Sequence, residues 1–420
     1  MFFSSLLSLL FSPFASNEFE PIQPIPWHEA SIFQVNTDLD PQVESIVDSY
    51  LKNIRKKGYI TNQQGIWIET PWAVLADHRG KTPAPAASLT KVATTIASLK
   101  TWELDHRFLT QFYTTGDINP EGVLQGDLII ETQGDPLFVW EEAIAVGNKL
   151  TELGIREIEG NLLIVGQWQM NYKTDIVKSA QLFLQSLNST KWSATIEKQY
   201  KTVEVHLNRP KIQFNGKVTI AKQLPRKSQL LFTHESLTLR EILRLMNVYS
   251  NNYIAESLAQ KIGGGKKVAE IAAEIANVPT SEVLLINGSG LGVDNRISPR
   301  AASRMFMALD QMLADEEVNV GDLFPVAGVD ITGTIEERNI PSGIAGKTGT
   351  LAVVSALSGT ISTLEREKVY FAIINYGNGI PTMRRNQDIL LQDLAQHWQL
   401  QELTPNKSIV SKFGAKERIF

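Results

Sequence analysis

Two kinds of sequence pattern alternate along this chain, and their order constrains the fold more than any other feature. Apolar residues recur at helical intervals before residue 107 and again after residue 233, for example at 43–56 and 239–258. Between these parts, residues 107–233 carry short alternating segments at 108–114, 127–130, 203–207 and 217–220 around one helical run at 139–153. We therefore predict a smaller α/β domain inserted into a larger domain of strands packed with helices.

The predicted boundaries divide the chain into four parts. Residues 1–16 form a signal segment, residues 40–106 together with 234–400 form the larger domain, residues 107–233 form the insert, and residues 401–420 form a tail. The apolar run at 1–15 is shorter than the ~20 residues that span a bilayer and fits a secretory segment, although a buried first strand or helix is the alternative. These features predict export, with at most peripheral membrane association.

Composition excludes several classes of protein. The 420 residues are 43% apolar, with 40 basic and 45 acidic side chains and a net charge of −5, so neither a disordered chain nor a nucleic-acid coat is expected. The absence of cysteine excludes disulfides, thiolate metal sites and a cysteine nucleophile. The six histidines show no His-x-x-x-His pair, so no metal site is predicted. No Gly-x-Gly-x-x-Gly follows a predicted strand, so no cofactor is predicted either.

The first candidate for chemistry is Ser88-Leu89-Thr90-Lys91, at the start of a predicted helix from 88 to 104. Positions three apart share a helix face, so the amine of Lys91 can reach the hydroxyl of Ser88 and remove its proton. The start of the helix adds partial positive charge where an oxyanion would develop. Ser-x-x-Lys also occurs by chance, so an ordinary helix start is the alternative.

A second polar cluster, Ser250-Asn251-Asn252, lies between two predicted helices. A hydroxyl at this position can relay a proton, and an amide can hold a substrate carbonyl or amide group. In isolation, a polar turn between helices explains the cluster equally well.

The third cluster is Gly346-Lys347-Thr348-Gly349-Thr350, which leads into a strand-like segment at 351–360. A phosphate-binding loop would require glycine where the chain has Pro341, and it would precede a helix rather than a strand. On a strand, Lys347 and Gly349 share one face, while Thr348 and Thr350 share the other. Lys347 can supply positive charge, and Gly349 leaves room for a substrate backbone.

Taken in order, the three clusters resemble the signature of one enzyme family. Ser-x-x-Lys, Ser-x-Asn and Lys-Thr-Gly follow one another in penicillin-binding proteins and serine β-lactamases. Flanking segments at 253–256, 287–291, 298–300, 324–330 and 347–359 narrow the resemblance to the class C low-molecular-mass penicillin-binding proteins, the penicillin-binding protein 4 type D-Ala-D-Ala carboxypeptidases and endopeptidases of peptidase family S13. The resemblance covers residues 65–379. It implies an antiparallel sheet flanked by helices, with the smaller domain inserted between the first two clusters.

The resemblance also implies a role for each matching residue. Ser88 would attack the penultimate D-alanine, Lys91 would act as base, and Ser250 would pass a proton to the leaving amine. Asn252 would orient the acyl-side amide. Lys347, Thr348 and Thr350 would hold the terminal carboxylate beside Gly349, and the backbone N–H groups of Ser88 and Thr350 would form the oxyanion hole. The implied substrates are peptidoglycan stem peptides ending in D-Ala-D-Ala, and β-lactams are the implied covalent inhibitors.

Two departures from the family pattern stand out. The 162 residues from Ser88 to Ser250 are few for this family, which favours one inserted domain over two nested ones. Ile331 follows Asp330 where the family usually continues with Gly-Thr, which predicts an altered loop near the site.

Two alternatives to the peptidase remain. One is a catalytically silent protein that binds wall peptides or penicillin through the same pocket. The other is a β-lactamase, which would need a positioned water to clear its acyl-enzyme, commonly through a glutamate that cannot be assigned here.

Overall fold

The computed structural model describes residues 40–364, 367–406 and 411–420, so the predicted signal segment at 1–16 lies outside the described residues. Between residues 40 and 106 the chain forms two α-helices and three strands: α1 (Pro41–Lys56), β1 (Gln64–Glu69), β2 (Val74–His78), β3 (Ala84–Pro85) and α2 (Thr90–Thr101). Helix α1 begins at Asp40, whose carboxylate accepts hydrogen bonds from the backbone N–H groups of Gln42 and Val43. Pro71 interrupts the extended chain between β1 and β2.

The middle of the chain contains more helix than the sequence predicted. Its elements are β4 (Leu109–Thr114), β5 (Val123–Leu124), β6 (Leu128–Thr132), α3 (Trp140–Glu152), β7 (Glu157–Ile158), β8 (Leu162–Gly166), α4 (Ile176–Ser186), α5 (Ala194–Thr202), β9 (Gln213–Phe214), β10 (Val218–Ala221) and β11 (Gln229–Glu235). The predicted strand at 203–207 is wrong, because this segment is irregular. Its alternation arises from Val205 and Leu207, which pack onto the core of this part of the chain from an irregular backbone.

The last part of the chain returns to helices and long strands. It comprises α6 (Leu239–Val248), α7 (Asn252–Ile262), α8 (Gly265–Ile275), β12 (Val283–Leu284), β13 (Arg296–Ile297), α9 (Pro299–Met312), β14 (Ala345–Leu351), β15 (Val354–Thr363), β16 (Glu367–Tyr376) and α10 (Ile380–His397). The predicted single strand at 351–360 is wrong in one respect. The chain turns after Leu351, so the Lys-Thr-Gly sequence occupies β14 and most of the predicted strand is β15.

The main sheet has five strands in the order β14-β15-β16-β1-β2, and every neighbouring pair is antiparallel. Alternate residues of each strand face opposite sides. On one side, Leu357 and Phe371 pack with Leu391 of α10 and Val47 of α1. The other side packs against the cluster that contains residues of α2, α6, α7, α8 and α9. This antiparallel sheet between two layers of helices confirms the predicted fold, and it leaves β14 at the edge of the sheet.

A second sheet with its own hydrophobic core is formed by the middle of the chain. Its order is β10-β8-β6-β4-β11, with parallel pairing from β10 to β6 and antiparallel pairing from β6 to β11. Phe112, Phe183 and Phe232 stack in its core. We propose that residues 107–233 are the inserted domain. None of the helices in the described ranges combines the length and the hydropathy that crossing a bilayer requires.

The C-terminal segment at 411–420 packs onto this second sheet. Thr233 and Phe420 exchange backbone hydrogen bonds of 2.8 and 3.0 Å, and Ile419 joins the hydrophobic core of the middle part. Arg418 donates to Glu142, which also contacts Nε2 of His234 at 2.7 Å. Burial disfavours the charge on Glu142, but its contacts with His234 and Arg418 outweigh burial and hold the pKa of Glu142 below its usual range.

Replacing Arg418 with methionine is expected to destabilise the protein. The substitution leaves the buried carboxylate of Glu142 without its guanidinium partner, and breaking a buried pair in this way typically costs ~3–5 kcal/mol. Urea titration followed by near-ultraviolet circular dichroism would measure the loss in the free energy of unfolding. The matched control is Lys416→Met, because the Lys416 side chain is 63% exposed. An equal loss in both variants would contradict a specific role for Arg418.

Candidate active site

Ser88 lies in a tight 3-10 turn, Ala87–Leu89, immediately before α2. The turn is entered through Ala87, whose φ of 48° is in the left-handed region. Gly290 packs directly against this residue, because a Cβ atom at position 290 would lie 1.8 Å from the carbonyl oxygen of Ala87. A residue in the left-handed region and a required glycine therefore fix the backbone of the turn that carries Ser88.

Lys91 is buried one turn after Ser88, and three acceptors surround its amine. Nζ lies 3.0 Å from Oγ of Ser88, 2.7 Å from Oδ1 of Asn252 and 2.8 Å from the carbonyl oxygen of Ser289. Burial lowers the pKa of Lys91 to about 7, and the negative charge of Glu256 partly opposes this shift. Near neutral pH a large fraction of Lys91 is therefore uncharged, with a lone pair available to accept the proton of Ser88.

The second cluster occupies the connection between α6 and α7. Ser250 has a φ of 52°, which turns the chain sharply between the two helices. Asn251 caps α7 by accepting a hydrogen bond of 3.1 Å from the backbone N–H of Ile254, and Asn252 is the first residue of α7. The cap fixes the direction of α7 and thereby places Asn252 beside Lys91.

Lys347 lies on the edge strand β14 and is completely buried. Its Nζ donates to Oγ of Ser250 at 3.0 Å and to the carbonyl oxygen of Thr348 at 2.9 Å. Burial lowers the pKa of Lys347 well below its usual range, and the neighbouring positive charge of Lys91 lowers it further. Ser250 is therefore joined to a second lysine, separate from the one that contacts Ser88.

Gly349 allows β14 to approach the turn that carries Ser88. A Cβ atom at position 349 would lie 2.7 Å from the carbonyl oxygen of Ala86 and 3.2 Å from the backbone nitrogen of Ser88. The turn therefore occupies the space beside Gly349, and a contact of Gly349 with a substrate backbone stays a proposal. On the opposite face of β14, Thr348 is buried and Thr350 is exposed.

The structure thus brings the three clusters of the sequence together at one edge of the main sheet. It also adds residues to which the sequence gave no role. Glu256 accepts hydrogen bonds from the backbone N–H groups of Gly288 and Ser289 at 3.2 and 3.0 Å, which holds the loop that presents the Ser289 carbonyl to Lys91. Arg384 of α10 reaches Thr350. Glu256 and Ser289 lie in segments that carry the family resemblance, whereas no sequence pattern marked Arg384.

A family model and curated relatives resemble this chain in sequence. The family model described as "D-Ala-D-Ala carboxypeptidase 3 (S13) family" matches residues 50–175 and 185–396. The chain is 24% identical to the D-alanyl-D-alanine carboxypeptidase DacB of Haemophilus influenzae over 408 residues, covering 74% of this chain and 83% of the relative. It is 31% identical over 188 residues to the D-alanyl-D-alanine carboxypeptidase of an Actinomadura strain, covering 40% of this chain and 34% of that protein.

Solved structures share the fold. Bd3459, a predatory peptidoglycan endopeptidase from Bdellovibrio bacteriovorus, superimposes with a TM-score of 0.70 at 21% identity, covering 86% of this chain and 98% of that one. Penicillin-binding protein 4 from Haemophilus influenzae, complexed with a β-lactam, superimposes with a TM-score of 0.63 at 20% identity, covering 83% of this chain and 98% of that one.

Proposed function

This chain belongs to the D-Ala-D-Ala carboxypeptidase (S13) family and is a serine-type carboxypeptidase, and we propose that Ser88 is the nucleophile with which it cleaves peptidoglycan stem peptides. The main support for Ser88 as the nucleophile is the 3.0 Å contact between its Oγ and the buried amine of Lys91. Incubation with an acetylated L-Lys-D-Ala-D-Ala tripeptide should release D-alanine, and chromatography of the products would test this directly. No release of D-alanine, with penicillin binding retained, would favour the silent binding protein.

The arrangement supports the following acylation step. Lys91 takes the proton of Ser88 as Oγ attacks the carbonyl carbon of the penultimate D-alanine, and the backbone N–H groups of Ser88 and Thr350 stabilise the oxyanion. One such donor typically contributes ~2.7–4 kcal/mol to lowering a barrier of this kind. Ser250, hydrogen-bonded to Lys347, donates a proton to the leaving nitrogen and is reprotonated by the proton that Lys91 took from Ser88, so that Lys91 is again neutral when the step ends. The C–N bond breaks, free D-alanine departs, and an ester joins the remaining peptide to Ser88.

Deacylation reverses the roles of the same groups. Water attacks the ester carbonyl, a proton passes to Lys91, and Oγ of Ser88 leaves and regains its proton. A β-lactam follows the first step, but its leaving nitrogen stays tethered to the acyl group and can block the approach of water. The structure of Bd3459 acylated by penicillin G supports the same reaction here.

Cleavage of cross-links is a second proposed activity of the same site. The fold similarity to a peptidoglycan endopeptidase supports this extension. Purified cross-linked and uncross-linked muropeptides, supplied separately, would measure the ratio of endopeptidase to carboxypeptidase activity. We also propose that the enzyme acts in the periplasm or cell envelope, where stem peptides are accessible, after export through its N-terminal segment.

The rate of acylation is expected to rise with pH through a midpoint near 7. Burial lowers the pKa of Lys91 to about 7, so the amine becomes neutral and competent as a base above this pH. A lysine with an ordinary pKa would instead give a rate that still increases above pH 9. The second-order rate constant for acylation by benzylpenicillin, measured from pH 5.5 to 9.5, distinguishes the two profiles. Enzyme returned from each pH to pH 7 serves as the control for irreversible loss.

A further inference from the structure

The amines of both active-site lysines are engaged by acceptors inside the protein. Lys91 is surrounded by Ser88, Asn252 and Ser289, and Lys347 donates to Ser250 and to the backbone of Thr348. Both side chains are buried, and burial lowers the pKa of each. Additional positive charge at the outer part of β14 would therefore favour the binding of a substrate carboxylate there.

Arg384 places a guanidinium group at this part of the strand. It lies in the second turn of α10, is half-buried, and donates from Nη2 to Oγ1 of Thr350 at 2.8 Å. Thr350 shares its face of β14 with Thr348, and this is the face that α10 covers. Among the described residues, Arg384 forms no ion pair with a carboxylate. An arginine guanidinium stays charged throughout the physiological pH range and carries five N–H donors, so most of its hydrogen-bonding capacity remains for a ligand.

We propose that Arg384 is a specificity-determining residue that binds the substrate carboxylate next to the scissile bond, together with the hydroxyl of Thr350. This inference rests on the proposed function, because it assumes that substrates lie along β14 with their carbonyl at Ser88. A planar guanidinium fits a carboxylate through two parallel hydrogen bonds, which selects for charge and for geometry together.

Arg384 would contact the same chemical group in a stem peptide and in a β-lactam. The carboxylate of a C-terminal D-alanine sits on the carbon that bears the scissile nitrogen. The carboxylate of benzylpenicillin is attached to the carbon next to its lactam nitrogen, so it has the same relation to the bond that breaks. Arg384 should therefore favour amides whose leaving nitrogen carries a carbon with a free carboxylate over the corresponding esters and carboxamides.

The test compares two probes with three variants. Acetylated L-Lys-D-Ala-D-Ala and its C-terminal carboxamide are the probes, and Arg384→Gln, Arg384→Lys and Arg385→Gln are the variants. Arg385 is the matched control, because it is exposed and neighbours Arg384 on α10. In Arg384→Gln we expect kcat/KM for the acid to fall about 10- to 100-fold, mainly through KM, with little change for the carboxamide. Arg384→Lys should retain part of the preference, and Arg385→Gln should retain all of it.

The outcomes separate this inference from the proposed function. Wild-type enzyme that releases no D-alanine and forms no penicillin adduct would refute the proposed function itself. In a second outcome, the wild-type enzyme is active while Arg384→Gln loses activity equally toward the free acid and the carboxamide. This result would show that Arg384 only supports Thr350, and it would overturn the inference. An equal loss of preference in Arg385→Gln would overturn it as well, because the effect would then come from general surface charge.

Discussion

The Ser88→Ala variant is expected to form no covalent adduct with benzylpenicillin and to release D-alanine roughly 10⁴- to 10⁶-fold more slowly than the wild-type enzyme. The substitution removes the hydroxyl oxygen that forms the ester in the proposed reaction, while the acceptors of Lys91 at Asn252 and Ser289 are unchanged. Mass spectrometry of the intact protein and of its peptides would detect a stoichiometric adduct on the Ser88 peptide of the wild type and its absence in the variant.

The matched control for this experiment is Ser49→Ala, which makes the same chemical change on the exposed surface of α1. An adduct that persists in Ser88→Ala on another residue would contradict the assignment of the nucleophile. Hydrolysed penicillin without a detectable adduct in the wild type would instead indicate rapid deacylation, which is the behaviour of a β-lactamase. Intact penicillin without an adduct would favour a silent pocket.

Local sequence signals predicted the helices at 43–56 and 88–104, because the relevant information lies within one or two turns of chain. Helix α9 carries local signals of the same kind, since Ser298 caps it, Pro299 occupies its first turn and its apolar residues recur at helical spacing. The turn after Leu351 was missed, because Ala352-Val353 has none of the glycine, proline or asparagine that usually marks a hairpin. Tertiary pairing of β14 with β15 decides that turn.

The middle of the chain was predicted less completely. Helix α4 is capped by Asp175 and buries Ala180 and Phe183, so its sequence does contain a helical pattern. This pattern is weak compared with the strand-like segments around it. The irregular segment at 203–207 alternates without being a strand, because it is held by contacts such as the hydrogen bond from the Tyr200 hydroxyl to the carbonyl oxygen of Leu207. Such contacts depend on the assembled core and cannot be read from local spacing.

The candidate site likewise contains residues that the sequence predicted and contacts that it did not. Ser88, Lys91 and Lys347 were predicted because the reaction requires their chemical groups at characteristic spacings. The contact between Thr350 and Arg384 was not predictable, because the two residues belong to different elements and their approach depends on how α10 packs on the main sheet. The positive φ of Ala87 and the close packing of Gly290 against it could not be predicted from the sequence either, because both depend on contact between two distant segments.

The Lys91→Met variant is expected to reduce the rate of acylation by about 10²- to 10⁴-fold, which is the usual contribution of a positioned general base. Methionine has a length similar to that of lysine and suits a buried site, so the substitution removes the base while it preserves packing. The matched control is Lys100→Met on the same helix, where the side chain is exposed. Stopped-flow acylation by benzylpenicillin would measure both variants, with near-ultraviolet circular dichroism to confirm that each is folded.

The pH profile of this variant separates loss of the base from displacement of Ser88. If Lys91 is the base, the residual acylation of Lys91→Met should no longer show the midpoint near pH 7, because the group whose pKa burial lowers to about 7 has been removed. A variant that is slow but retains the midpoint would contradict the assignment. Another group, such as Lys347, which is hydrogen-bonded to Ser250, would then have to accept the proton of Ser88.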